Sequence, residues 1–433
     1  MKSTSNVQPW FFIPTLYFAE GLPYILINSV SVIIYKNLGV DNAKIAFWTS
    51  LLYLPWVIKM FWSPWVEKIG KTKDWIILTQ LAMFTCLGIT GLVLQLPNFF
   101  YLSLVTLAIA AFISATHDIA VDGFYLEALN FTQQAQFAGI RPIFYRGAVI
   151  FGSGFLVVLA GKLANQWNNV TLSWTTTLSL SALIFLALSV YHYFYFNWSK
   201  SLQYYAENLA IKKTIAQEQP IQKQEYLEII TSYFRKSNIL MIVAFIVFYR
   251  FGEALLIKLS NPFLLDTVNQ GGLGLATEQV GLIYGGFGVI SLIVGGILGG
   301  FLIAKYGLQK SILPMTLALN LPNLLYFYMS IVKPSLPAIT VFISLEQFGS
   351  GLGLTAFMVY LMEISEGNYK TAHYAISTGI MALGMMLPGL ISGYIQEQVG
   401  YSLFFLISCL LTIPGIILIF FIPIKSRNST QES

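Results

Sequence analysis

The sequence is poor in charged residues. Only 10% of its 433 residues are charged, with 24 lysines and arginines against 19 aspartates and glutamates. An ordinary soluble protein has about 25% charged residues, and with so few it has no means of covering this much apolar surface. The basic residues also stand in short runs between apolar stretches. Composition therefore argues against a soluble enzyme, a disordered protein and a nucleic-acid-binding protein.

Cysteine and histidine are scarce as well. Cys86 and Cys409 lie far apart in apolar segments, so neither a disulfide framework nor a thiolate metal site is indicated. None of the three histidines is followed by glutamate, which excludes the His-Glu-x-x-His zinc motif. The glycine runs near Gly271 and Gly285 lack the Lys-Ser/Thr of a phosphate-binding loop. We expect no catalytic residues, no metal site and no cofactor.

Apolar residues are abundant, at 56% of the chain. A helix needs about 20 apolar residues to cross a bilayer, and this length gives about twelve candidate spans. They fall near residues 9–35, 45–66, 75–96, 99–122, 142–165, 172–197, 238–260, 278–304, 311–331, 336–362, 374–397 and 401–423. The first stretch has no small-residue cleavage site, so it predicts a span rather than a signal peptide. The sequence predicts an all-α membrane protein.

One long polar segment, Ser199 to Lys236, separates the two groups of six spans. We interpret it as a cytoplasmic linker, either a solvated tether or an amphipathic helix on the membrane surface. The predicted division is residues 1–198, a linker at 199–237, residues 238–424 and a tail at 425–433. Lysine and arginine concentrate in the loops of one side, which the positive-inside rule assigns to the cytoplasm together with both termini.

The two halves resemble each other. Their matches occur at nearly the same offset and pair Lys68 with Lys305, Gly70 with Gly307, Ser114 with Ser350 and Glu127 with Glu363. Two six-span repeats joined by a linker are typical of a transporter whose halves rock around a site between them. We therefore expect the first, fourth, seventh and tenth spans to line a central cavity.

Four ionisable residues fall deep inside predicted spans. Each charge at a helix centre costs roughly 2.5–3.5 kcal/mol, so each is a hypothesis of function. Glu20 lies near the midplane of the first span, Arg250 and Glu253 near that of the seventh, and Glu346 near that of the tenth. We expect Glu20, Arg250 and Glu346 to face the cavity, with structural pairing between helices as the alternative. Glu253 follows Arg250 by three residues and is expected to neutralise it.

The fourth span ends with His117, Asp118 and Asp122. The two aspartates are four residues apart, so they share a helix face about 6 Å apart and are candidates to exchange a proton. His117 is a residue type that titrates near neutral pH. Because this end of the span lies at the cytoplasmic mouth, a role in gating or solute entry is an equal alternative to proton carriage.

The loop after the second span contains Glu67, Lys68, Gly70 and Lys71. A tight turn requires the glycine, and the acid and bases are able to bind neighbouring helix ends in one conformation only. We predict a gating motif here. The alternative is that these lysines serve topology alone.

In the first span, at the end of the second, in the loop that follows it and at the end of the fourth, the sequence resembles the AmpG-type muropeptide permeases of the major facilitator superfamily. The family pattern Phe-x-x-Gly-Leu-Pro matches Phe18 to Pro23, and Lys-Phe-x-Trp-Ser-Pro is similar to Lys59 to Pro64. The pattern Ser-Ala-Ser-Gln-Asp-Ile-x-x-Asp is similar to Ser114 to Asp122, with His117 in place of glutamine. The family's Asp-Arg in the following loop is replaced by Glu67 and Lys68, which keeps the charges.

This resemblance implies a twelve-helix major facilitator fold with two pseudo-symmetric six-helix bundles. It also implies a proton symporter of the cell inner membrane that imports anhydro-muropeptides for peptidoglycan recycling. The expected partners are this solute, protons and the lipid bilayer, with no nucleic acid, and a monomer is expected to suffice. In this reading Arg250 binds a solute carboxylate, Glu20 or Glu346 takes the proton, and Asp118 and Asp122 couple the cavity to the gate.

Other functions stay open at this point. A carrier of another polar solute, such as acetyl-CoA, a peptide or a drug, is the alternative within transport. From other classes, a non-transporting sensor and an intramembrane acyltransferase remain, although neither explains the repeat.

Overall fold

The computed structural model describes residues 8–69, 71–129, 131–138, 140–198, 223–366 and 369–424. Within these ranges the chain is helical and contains no β-strand. This is the architecture that a bilayer demands of an apolar chain, because the hydrocarbon offers no hydrogen bonds and a helix satisfies its backbone internally. The predicted all-α class is confirmed.

Ten segments of the described chain are long and apolar enough to cross a membrane. In the N-terminal half they are Pro9–Asn37, Thr72–Val93, Phe99–Ala128, Arg141–Trp167 and Val170–Asn197. In the C-terminal half they are Ile239–Leu265, Thr277–Tyr306, Leu308–Val332, Leu336–Ile364 and Ala372–Leu418.

Two features bring these ten segments to twelve crossings. The expected second span is divided into the short helices Asn42–Leu51, Leu54–Ile58 and Ser63–Lys68, the last two with a proline in their first turn. The Ala372–Leu418 segment has 47 residues and would extend about 70 Å, more than twice the hydrocarbon thickness. Gly400, with φ 74° and ψ 170°, breaks it into the eleventh and twelfth helices.

Two shorter helices lie between crossings, Phe131–Ala138 and Lys223–Phe234. The second of these falls within the predicted linker and precedes the seventh crossing. The linker residues 199–222, the tail 425–433 and Gly70 of the loop motif lie outside the described residues.

The two halves pack closely where the fifth and eighth helices cross. Each helix widens there into a π-helical stretch, Ile150–Leu156 and Gly281–Gly288. A Cβ added at Gly285 would lie 2.0 Å from the carbonyl oxygen of Ser153, so only glycine allows this approach. Such small-residue contacts are how membrane helices bring their backbones together. The contact closes the halves on the side away from the chain termini.

Candidate functional site

A cavity of about 470 Å³ opens between the halves on the side of the chain termini. Its lining includes Glu20 of the first helix, exposed Asp122 of the fourth and Arg141 of the fifth, while Leu354 of the tenth helix closes it from the other half. Glu20 is half-buried, and its Oε2 has no hydrogen-bond partner among the described residues. The structure therefore places Glu20 at the cavity wall with an acceptor free for a ligand.

Asp118 and Asp122 face the same helix side but bind different cations. The buried Asp118 Oδ2 accepts from Trp56 Nε1 at 3.1 Å and lies 3.4 Å from Lys59 Nζ. Its Oδ1 has no partner within the described chain. The exposed Asp122 Oδ1 lies 3.4 Å from an Arg141 terminal nitrogen. Each carboxylate thus belongs to its own ion pair with a neighbouring helix.

Arg141 is the centre of the cavity rim, although it was not among the candidate site residues predicted from the sequence. Its guanidinium donates to Tyr17 Oη at 2.9 Å, and Tyr17 in turn donates to Asp122 Oδ1 at 3.2 Å. The same group lies over the Tyr125 ring, 4.3 Å from the centroid, in a cation–π contact. The sequence does contain an indication of this role, because Arg141 begins the fifth helix and follows the fourth-helix aspartates closely along the chain.

Arg250, Glu253 and Glu346 meet in the C-terminal half. Arg250 Nε and a terminal nitrogen donate to the two oxygens of buried Glu253, at 2.6 and 3.1 Å, as their spacing of three residues predicts. Ser350 Oγ lies 3.0 Å from Glu253 Oε1 and 3.1 Å from Glu346 Oε1. Gln347 donates to the other oxygen of the fully buried Glu346. Two carboxylates, one of them paired with Arg250, therefore share the single hydroxyl of Ser350.

The His117 side chain points away from Asp118 and Asp122. Its Nε2 lies 3.2 Å from the Gln80 amide nitrogen, and the Gln80 oxygen lies 2.9 Å from His192 Nδ1. His192 continues this chain to Thr15. Both histidines are buried, so they join the third, fourth, sixth and first helices within one half. Neighbouring helical residues point about 100° apart, so His117 and Asp118 have different contacts, and a functional role of His117 stays a prediction.

The loop motif is only partly described. Glu67 and Lys68 lie in the last short helix of the second crossing, Ser63–Lys68, whereas Gly70 lies outside the described residues. Lys71 is exposed and precedes the third helix, where its carbonyl accepts from the backbone N–H of Asp74. The gating role stays a prediction.

Four aromatic side chains form a wall next to Glu20, which we call the aromatic wall: Tyr24, Tyr53, Trp56 and Tyr145. The Tyr24 ring lies 5.4 Å from Trp56, 6.0 Å from Tyr53 and 6.2 Å from Tyr145, centroid to centroid. The Tyr24 and Tyr53 hydroxyls lie 3.2 Å apart and share a hydrogen bond, and Trp56 Nε1 donates to Asp118 Oδ2. Such a surface offers ring faces and hydroxyls together, which suits a solute with both sugar faces and polar groups.

A group of polar contacts joins the halves at the end opposite the termini, and we call it the latch. Lys36 Nζ lies 2.6 Å from Asp266 Oδ1, with both side chains largely buried. Tyr401 Oη donates to Asp266 Oδ2 at 2.6 Å, and Asn42 Nδ2 lies 2.8 Å from Gln396 Oε1. The cavity is therefore open at one end, while hydrogen bonds and an ion pair hold the halves together at the other end.

The described residues contain no group of histidine, cysteine or acidic side chains that would hold a metal ion. The arrangement instead provides an aromatic wall, a rim of ion pairs and buried carboxylates on both halves. Groups of these kinds are chemically able to bind a polar solute and to exchange protons.

Comparison with known proteins agrees with this geometry. The family model described as the Major Facilitator Superfamily matches residues 250–433. The chain is 24% identical over 409 residues to the anhydromuropeptide permease of Escherichia coli, covering 93% of this chain and 77% of the relative. It is 24% identical over 436 residues to a Rickettsia conorii protein named as transporter AmpG 4, covering 96% of each.

Solved structures show the same fold. A bacterial homologue of the human lysosomal transporter Spinster, inward-facing and unoccupied, superposes with a TM-score of 0.70 at 14% identity, covering 96% of this chain and 97% of that one. A D-xylose–proton symporter gives a TM-score of 0.69 at 11% identity, with the same coverage. These comparisons confirm the expected fold and a transporter rather than an enzyme. The chain is a multi-pass membrane transporter with the fold of the major facilitator transporters, and it is similar along most of its length to proteins named as AmpG-type permeases.

Proposed function

We propose that this transporter imports anhydro-muropeptides together with protons across the cell inner membrane. The observation that carries the proposal is its similarity, over 93% of its length, to a relative named as an anhydromuropeptide permease. The side with the chain termini is the cytoplasm in this proposal, because the lysine- and arginine-rich loops lie there. The 470 Å³ cavity is then the release site of an inward-open state.

The shape of the cavity supports a sugar–peptide solute. Its volume lies within the roughly 300–1,000 Å³ of ordinary ligand sites. The aromatic wall offers ring faces to a sugar, and the free Glu20 Oε2 accepts from a hydroxyl or an amide N–H. Arg141 and Arg146 line the same cavity and favour an acidic peptide portion.

The buried cluster around Ser350 supports coupling to one proton. A serine hydroxyl donates one hydrogen, so it satisfies either Glu253 or Glu346 but not both. A proton on Glu346 lets that carboxyl group donate to Ser350 Oγ while Ser350 donates to Glu253. The same proton brings the charge of one arginine and two carboxylates to zero, which a low-dielectric site favours. Glu346 is therefore our assigned proton carrier, with Glu20 assigned to the solute.

The fourth-helix ion pairs are assigned to the cytoplasmic gate. Asp118 binds Lys59 of the second crossing, and Asp122 binds Arg141 of the fifth helix. When the halves rock, these helices change their exposure at the mouth, and a solute charge competes for the same cations. The loop residues Glu67, Lys68, Gly70 and Lys71 are assigned to the same gate on their position alone.

The remaining assignments concern organisation. Residues 1–198 and 238–424 are the two rocking units, residues 199–237 are the cytoplasmic linker, and 425–433 form a cytoplasmic tail. The transport path lies inside one chain between its halves, so a monomer in a lipid bilayer is sufficient.

Uptake of labelled anhydro-muropeptide into proteoliposomes tests the proposal. With an inwardly directed proton gradient, the wild-type protein should accumulate the unmodified solute, and acetyl-CoA should not compete. Glu346→Gln should abolish the response to the gradient while solute counterflow persists, because exchange needs no net proton movement.

Asp74→Asn is the matched control, since Asp74 is an exposed carboxylate at the start of the third helix. It should behave as the wild type in both assays. Absence of solute uptake by wild-type protein would refute the substrate assignment. An unchanged gradient response in Glu346→Gln would refute the proton assignment.

A further inference from the structure

A second, smaller cavity of about 120 Å³ lies between the halves, deeper than the first one. Both halves line it, through Tyr24, Asn28 and Ser50 on one side and Lys258, Asn261 and Gly389 on the other. Tyr24 also lines the open cavity, so the two spaces meet at this ring. A solute seated against the aromatic wall therefore has room to extend one small group into the deeper cavity.

Two polar groups in this cavity lack partners. Among the described residues, no carboxylate lies within ion-pair distance of Lys258, although a lysine charge inside a membrane span is costly unless it is paired. Asn261 is 4% exposed, and its Oδ1 has no hydrogen-bond partner in the described chain. Buried polar atoms are normally satisfied, so an orphaned acceptor beside an unpaired cation indicates a ligand.

The chemistry of that ligand follows from the two groups. Lys258 and Asn261 are three residues apart on the seventh helix, so they present a cation and an acceptor side by side. The matching fragment is a carboxylate with a neighbouring N–H, which is the acid end of a peptide. The small volume admits only a short side chain. Arg250 is unsuited to this task because Glu253 already binds its guanidinium through two hydrogen bonds.

We propose that Lys258 and Asn261 form a subsite for the peptide carboxylate of the transported solute, with Lys258 binding the carboxylate and Asn261 Oδ1 accepting from the adjacent amide. The inference deepens the proposed function and rests on it for the identity of the solute. It replaces Arg250 with Lys258 as the carboxylate-binding cation. Asn261 Nδ2 also lies 3.4 Å from Ser29 Oγ of the other half, so the subsite spans the interface that rocks.

A binding test addresses the subsite without transport. The purified protein in detergent is heated with N-acetyl-alanine or with N-acetyl-alaninamide, which differ only in the carboxylate. The acid should raise the melting temperature of the wild type more than the amide does. Lys258→Met should remove this difference, Lys258→Arg should retain it, and exposed Lys162→Met, the matched control, should retain it fully.

Uptake then tests the same subsite with the solute. Amidating the peptide carboxylate should raise KM of the wild type about tenfold or more, the scale of one lost charged hydrogen bond. In Lys258→Met, KM for the acid form of the solute should rise to the value that the wild type shows for the amide form. The maximal rate should be retained.

The possible results separate the two proposals. Equal stabilisation by acid and amide in the wild type, or a difference that survives in Lys258→Met, overturns the subsite. Equal KM increases for acid and amide in Lys258→Met also overturn it, because they indicate a structural role. A wild type that imports neither form refutes the proposed substrate, whereas the melting experiment still decides on the subsite.

Discussion

Removing the charge of Asp266 should open the end of the molecule opposite the termini. Asp266 is 6% exposed and Lys36 14%, with 2.6 Å between their charged atoms, so this is a buried ion pair between the two halves. In Asp266→Asn the Lys36 ammonium keeps its desolvation cost in the closed state without a counter-ion. Removing one partner of such a pair costs about 3–5 kcal/mol, which shifts the equilibrium toward the open state by roughly 100-fold to 4,000-fold.

Spin-label distances measure this shift directly. Gln166→Cys and Asn269→Cys place labels on exposed positions of opposite halves near the latch, in a protein whose Cys86 and Cys409 are replaced by serine. The wild type should show one short distance population. Asp266→Asn should transfer most molecules to a longer one.

Asp41→Asn is the matched control for this experiment. Asp41 and Lys44 form an ion pair of 2.8 Å near the latch, but both belong to the N-terminal half and both are exposed. Loss of this ion pair in Asp41→Asn should leave the spin-label distances unchanged. Identical distance distributions for Asp266→Asn and the wild type would refute the reasoning, as would an equal shift in Asp41→Asn.

Three further predictions concern other contacts. Gly285→Ala should favour the latch-open state in the same spin-label assay, because its Cβ meets the Ser153 carbonyl oxygen at 2.0 Å only when the halves are closed; an unchanged distance distribution would contradict this. Gln80→Leu should lower the free energy of unfolding by about 1–3 kcal/mol, because it leaves the buried His117 without a hydrogen-bond partner. The melting temperature should fall while gradient-driven uptake is retained. Loss of the gradient response would instead assign a transport role to His117. Ser350→Ala should reduce gradient-driven uptake about tenfold or more while counterflow persists, since it removes the hydrogen bond to a buried carboxylate; equal loss in both assays would indicate a structural role.

The sequence was sufficient for the fold because the bilayer leaves so few alternatives. The rise of about 1.5 Å per residue also predicts the depth of Glu20 and Glu346 within their spans without any tertiary information. The second crossing differed, since prolines divide it into short helices. The length of the Ala372–Leu418 segment concealed a turn at Gly400 that only the backbone angles reveal.

The site was less accessible from sequence, because its partners are distant along the chain. The spacing of Arg250 and Glu253 predicted their contact, yet not that both guanidinium hydrogen bonds would be used there. His117 was grouped with Asp118 by adjacency, although adjacent helical residues point in different directions. Lys258 lies in an apolar segment and was not among the candidate site residues. That no described carboxylate forms an ion pair with Lys258 is visible only in the three-dimensional structure.

A buried ion pair is well suited to a latch because its net stability is small. Lys36 and Asp266 lose hydration when the halves close and regain it when they open, so desolvation offsets most of their attraction. An apolar contact of the same size has no such compensation. The double variant Lys36→Met with Asp266→Leu should therefore favour the closed state, opposite in direction to Asp266→Asn alone. Its spin labels should remain at the short distance and its rate of solute uptake should fall. A long-distance population in the double variant would show that the ion pair itself, rather than the packing around it, holds this end together.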